Sequence, residues 1–202
     1  MEQTSVQKLA RVLRVLALIT LVCNLIALLF VPMAVGLSSV HLSVVDMVGT
    51  IFQGLNAADE ETVGFAIGGL FFLPTLFFGS YAEVWRDAYM AVLTLFLWAC
   101  GICTAIILWQ GKRVLDTILN GNPFVMDNAK SLKTAAVCCF VISGAALART
   151  IWGLIYYQSI APLLTYNALF VPIFLMGGLL FMVMSALFRQ AAELKAENDL
   201  TI

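Results

Sequence analysis

The sequence predicts an all-α bundle of four transmembrane helices, with a long structured extracytoplasmic loop between the first two. Three observations carry that expectation. Only 11% of the 202 residues are charged and 62% are hydrophobic, whereas a soluble domain carries about 25% charged residues. Mean hydropathy is +0.98, and the apolar residues gather in long runs. The basic residues, finally, divide very unequally between the loops that those runs define. By length, residues 1–202 make a single membrane domain.

A helix needs about 20 apolar residues to cross about 30 Å of hydrocarbon. The runs at about 12–37, 88–111, 134–157 and 168–188 satisfy this. A fifth run, 63–82, is broken by Gly64, Gly68, Gly69, Pro74 and Gly79, and its length alone does not decide whether it crosses. Charge does. With four crossings and a cytoplasmic N-terminus, nine basic residues lie inside: Lys8, Arg11, Arg14, Lys112, Arg113, Lys130, Lys133, Arg189 and Lys195. Arg86 alone lies outside, and Arg149 sits within a span. A fifth crossing would leave four inside and six outside, against the cytoplasmic bias of Lys and Arg. Four crossings with both termini cytoplasmic are therefore expected. The acids split evenly, giving net +3 inside and −5 outside. Tyr81, Tyr89, Tyr156, Tyr157 and Tyr166, with Trp85 and Trp152, fall near the outer helix ends as an interfacial belt. The first span has a basic lead and a passable cleavage site at Ala34-Val35-Gly36. Its apolar run exceeds a usual signal-peptide core, so it reads as a retained span.

The outer loop, 38–87, is long enough to expect function or structure of its own. Its apolar segment 63–82 should be re-entrant or interfacial, because irregular backbone at membrane depth needs protein or water around it. Ser80-Tyr81-Ala82-Glu83 has the spacing of a capping box, which starts the second spanning helix at Tyr81. That helix continues past Trp109, where Val114, Leu115, Ile118 and Leu119 form an apolar stripe beyond the membrane. Asn120-Gly121-Asn122-Pro123 then stops it, with Gly in the left-handed cap position and Pro beyond. Residues 112–133 thus make an inner αα-hairpin. Its stripe is a docking surface for a partner helix, unless the C-terminal helix, through Ala191, Ala192 and Leu194, or the lipid surface covers it.

Gly121, Pro123, Phe124, Asn128 and Leu132 stand in an order that resembles the G-x-P-F-x-x-x-N-x-x-x-L signature of a bacterial four-span family. That family is known as domain of unknown function 2975. The resemblance covers most of the chain and implies residence in a bacterial plasma membrane. Members are often encoded beside small helix-turn-helix regulators, so it also implies a soluble regulatory partner. It carries over no catalytic residue.

Among polar residues of the spans, Arg149 stands out, about 12 Å deep at 1.5 Å per residue. An intramembrane charge marks either an ion pair or a binding site. Glu83 and Asp87 share one face near the same leaflet and are the expected partners, with an anion or headgroup site under segment 63–82 as the alternative. Thr20 and Asn24 read as interhelical hydrogen bonds. Cys100-Gly101-Ile102-Cys103 could generate disulfides, but the outer loop holds no cysteine to receive them, and small soft residues that let helices approach are the simpler reading. Gly101-x-x-x-Ala105, Gly144-x-x-x-Ala148 and Gly177-Gly178 extend that theme, mainly within one chain, with homo-oligomer contacts as the alternative.

No cofactor is expected. His41 is the single histidine, and no His/Cys/carboxylate cluster stands at ligand spacing. Direct nucleic-acid binding is not expected either, since the inner charge is spread over three segments. The expected partners are membrane lipids and a soluble regulatory protein. The expected function is regulatory and non-enzymatic; transport or lipid binding is the alternative, although few polar residues are available to line a path.

Overall fold

The computed structural model describes residues 5–39, 49, 78–79, 81–82 and 84–199. Four long helices account for most of them: α1 Ser5–Ser39, α2 Ala88–Leu119, α3 Met126–Tyr157 and α4 Tyr166–Asp199. A one-turn 3-10 helix, Ala161–Leu164, precedes α4. No strand occurs among the described residues. All four helices are long and apolar enough to cross a membrane, and the fold is the all-α, four-helix arrangement that the apolar runs predict. Segment 63–82 and most of the loop 38–87 lie outside the described residues. At 32 residues each, α2 and α3 measure about 48 Å, well beyond the hydrocarbon thickness.

The chain forms two compact units: Met1–Leu28 with Ala99–Ile202, and Leu29–Trp98. In the second, Val84, Thr94, Phe96, Met33 and Val35 are buried, and the Tyr81 and Trp98 rings lie 6.4 Å apart. The long helix does not begin at Tyr81. Tyr81, Ala82 and Val84 are helical, the chain turns at Trp85 and Arg86, and α2 starts at Ala88. The reason is Asp87, whose Oδ1 accepts the Tyr89 amide at 3.0 Å. A carboxylate in that position satisfies an otherwise orphaned donor and opens a helix there. Ser80 and Glu83 of the expected capping box lie outside the described residues.

In the first unit α3 is the central helix. In its most apolar stretch 44% of residues are buried, against 6% to 17% in the others. Its inward positions are mostly small: Ala129, Ser131, Ala135, Ala136, Cys138, Cys139, Ser143, Ala146 and Gly153. Small residues are what close helix approach in lipid requires, because apolar burial gives no advantage over lipid tails. Polar bonds fasten the α3–α4 seam. Ser143 Oγ donates to the Val171 carbonyl at 2.9 Å, and Ser185 Oγ donates to the Ala129 carbonyl at 2.7 Å. Between them Gly178 lies under Phe140 so closely that a Cβ would come within 2.8 Å of the ring.

Gly101 faces the Leu28 side chain with no room for a Cβ, as the small-residue reading expects. Gly144 does not behave that way. It and Ala148 are exposed, and a Cβ on Gly144 would meet nothing within 4 Å. The Gly144-x-x-x-Ala148 pair therefore points away from the seam, because Ser143 and Ala146 occupy the inward positions of that turn. Cys103, Cys138 and Ile142 form a buried cluster, with Cys100, Ile107 and Phe174 packed on it. All five cysteines are free.

Candidate functional site

The start of α1, the α2–α3 turn and the close of α4 gather at one end of the first unit, which we call the basic end. The turn forms at the residues that the sequence marks for it. Gly121 adopts φ +77°, a conformation that costs an L side chain energy. This lets the Asn122 amide reach back to the Thr117 carbonyl and the Gly121 amide to the Ile118 carbonyl, both at 3.1 Å. Those two bonds satisfy carbonyls that the end of α2 would otherwise orphan.

Asn128 clamps the turn from the α3 side. It is 1% exposed, and its Nδ2 donates to Thr117 Oγ1 at 2.6 Å and to the Pro123 carbonyl at 2.7 Å. Both amide hydrogens are thereby used, one on each side of the turn. Leu132, one turn further along α3, lines a cavity of about 350 Å³ reaching Thr20 of α1, Gln110 of α2 and Phe181 of α4. Phe124 is different. It is 48% exposed, and its ring stands 6.0 Å from that of Phe188. Gly121, Pro123, Asn128 and Leu132 thus have internal work, while Phe124 shows half its surface. Ties to the outer helices complete the frame: Arg14 Nε lies 2.7 Å from Asp116 Oδ1, and Lys195 Nζ donates to Asn122 Oδ1 at 3.2 Å.

The apolar stripe on α2 is not an open face. Leu115 is buried, while Val114, Ile118 and Leu119 are half-buried. Val114 and Leu115 line the same cavity as Leu132. The bundle's own helices cover part of the stripe: α1, α3 and α4 line the same cavity as Val114 and Leu115.

Arg149 is half-buried, and its Nη1 donates to Asn167 Oδ1 across the α3–α4 seam at 2.6 Å. Of its two expected partners, Asp87 spends one carboxylate oxygen on the α2 cap and Glu83 lies outside the described residues. Asn167 was not anticipated as a partner. Asn167 supplies one acceptor to the guanidinium, and losing it costs about 1–3 kcal/mol, so Asn167→Leu should lower the thermal unfolding midpoint in detergent. Arg149→Glu, which sets a carboxylate against the Asn167 oxygen in place of the donor, should be the more damaging of the two.

Fold and site together define a small multi-pass membrane protein with an ordered turn at its basic end. A family model described as protein of unknown function (DUF2975) matches residues 81–202, more than half of the chain, and the chain belongs to that family. No curated protein and no solved structure matches it.

Proposed function

We propose that this chain is a regulatory protein of the bacterial plasma membrane that docks a soluble partner at its α2–α3 turn, with the basic end in the cytoplasm. The observation that carries the reading is the exposure of Phe124 and Met126, 48% and 40%, on a turn that Gly121 and Asn128 hold in one shape. An aromatic anchor on a preorganised frame loses little conformational freedom when it binds. This moves the contact surface from the α2 stripe to the tip of the turn. The partner class, a small helix-turn-helix regulator, rests on the family resemblance.

The test is affinity purification in mild detergent, with the retained soluble protein identified, from the unmodified chain and from a Phe124→Ser, Met126→Ser variant. The variant should lose the partner while its thermal midpoint stays within about 2 °C, since exposed side chains contribute little to folding. Ile118→Ser with Leu119→Ser should instead lower the midpoint. Equal retention by the tip variant, or no specific soluble protein with the unmodified chain, would sink the docking reading. Orientation has its own check: a thiol at Asn122→Cys should be protected from impermeant reagents in intact cells, and one at Glu60→Cys should react.

A further inference from the structure

We propose that the groove between α3 and α4 at the basic end is a binding site for one anionic phospholipid, its phosphate held by Lys130, Lys133 and Arg189. The groove encloses about 480 Å³ and is also lined by Met126, Met182 and Ser185. Its floor is fixed, because Ser185 Oγ donates to the Ala129 carbonyl and ties the two helices at that level. The three cations come from two different helices and converge on one concavity, the arrangement that basic pockets between transmembrane helices use for anionic headgroups.

Charge balance leaves this groove receptive to an anion. Lys130 meets Asp127 at 3.3 Å and Arg189 meets Glu193 at 2.9 Å, each within its own helix. Both pairs are largely exposed, and such pairs hold their partners weakly. No ion pair of Lys133 occurs among the described residues. The first turn of α3 forms one wall, and its N-cap, Val125, provides no side-chain acceptor. The positive end of that helix adds to the field of the cations.

Depth selects a lipid over a soluble acid. Lys133 and Arg189 border the apolar stretches of α3 and α4, so the cations stand where hydrocarbon gives way to headgroups. Met182 lies seven residues before Arg189, about 10 Å further into the apolar stretch. A free phosphate or an acidic peptide would meet the cations and leave the Met182 wall unused. A phospholipid uses both, phosphate at the rim and one acyl chain along Met182. The inference shares with the proposed function the cytoplasmic placement of the basic end and the Met126 side chain, which lines the groove, and does not involve Phe124 or any protein partner.

The experiment is native mass spectrometry of the purified full-length protein, titrated with phosphatidylglycerol or with phosphatidylcholine. Three proteins are compared: unmodified; a Lys130→Gln, Lys133→Gln, Arg189→Gln variant; and a Lys112→Gln, Arg113→Gln control. The unmodified protein and the control should each retain one phosphatidylglycerol in preference to phosphatidylcholine, and the triple variant should bind it at least about tenfold more weakly. Thermal midpoints without added lipid report whether each variant is folded; single Gln variants replace the triple one should it unfold. Equal retention of both lipids, unchanged binding in the folded groove variants, or an equal loss in the control would overturn the proposal. Displacement of the lipid by millimolar inorganic phosphate would overturn it in favour of a free-phosphate site. Failure of partner capture by the Phe124 tip would leave these readouts unaffected.

Discussion

Asn128→Leu is expected to destabilise the bundle by about 2–4 kcal/mol, as two hydrogen bonds to a buried amide are lost and their acceptors are left without it. Leucine keeps the branching and the number of side-chain heavy atoms, so the loss is chiefly one of polar satisfaction, with some crowding added by its bulkier methyl groups. The Pro123 carbonyl and the Thr117 hydroxyl would each need a new donor, and the Asn128 position is 1% exposed. Thr117→Val removes only one of the two bonds and should cost about 1 kcal/mol. Gly121→Ala should cost a similar amount for another reason: no atom lies within 4 Å of the new Cβ, but φ is +77°, and the left-handed region costs an L residue about 1–2 kcal/mol. Thermal unfolding in detergent should rank Asn128→Leu well below the other two. A midpoint for Asn128→Leu equal to that of the unmodified protein would show that the clamp contributes nothing.

Substitution at Gly178 should be as damaging, through a steric rather than a polar route. An added Cβ would fall 2.8, 3.0 and 3.1 Å from three atoms of the Phe140 ring. Either the ring must turn aside or the helices must part to admit it. Gly178→Ala should cost about 1–3 kcal/mol and Gly178→Leu more, in the range of overpacked cores. The neighbouring Gly177→Ala, and Gly144→Ala on the outer face, should be neutral, since neither Cβ would meet anything within 4 Å. Phe140→Leu should recover part of the Gly178→Ala loss, a coupling that a double-mutant cycle in detergent measures directly. Independent, additive effects would rule out this contact as the cause.

The elements that were legible from sequence share one property: their physics is local. Apolar runs locate the spans because hydrocarbon thickness acts on each helix separately. The Gly121 cap follows from the chemistry of a left-handed residue, and it is where the sequence places it. What sequence left open depends on rotation about helix axes. Three small-residue motifs look alike on paper, yet Gly101 and Gly178 face neighbours while Gly144 faces outward. In lipid-embedded helices the apolar pattern cannot reveal the angle, as every face is apolar. Sequence also left open what covers the stripe from Val114 to Leu119, of which Leu115 is buried and the others are half-buried. Asn167 and Thr117 were missed as partners of Arg149 and Asn128 because register across antiparallel helices decides both contacts. A weak signal existed for Asn167: it is a lone amide at the start of α4, at the end of the bundle toward which Arg149 lies.

The burial of α3 has a consequence for how freely the chain can vary. Where a side chain meets lipid, Leu, Ile, Val, Met and Phe are nearly interchangeable, because the surrounding solvent is itself disordered hydrocarbon. In their most apolar stretches, α1 and α4 turn only 6% of residues inward. Apart from contact points such as Ala10, Arg14 and Leu28 on α1, those helices can drift as long as they stay apolar and keep their length. The tolerance of α3 is much narrower, since its small and hydroxylated inward positions meet other helices on more than one side. Sequence information in this molecule is therefore concentrated in one helix and the turn before it. The family match, residues 81–202, contains that helix and that turn.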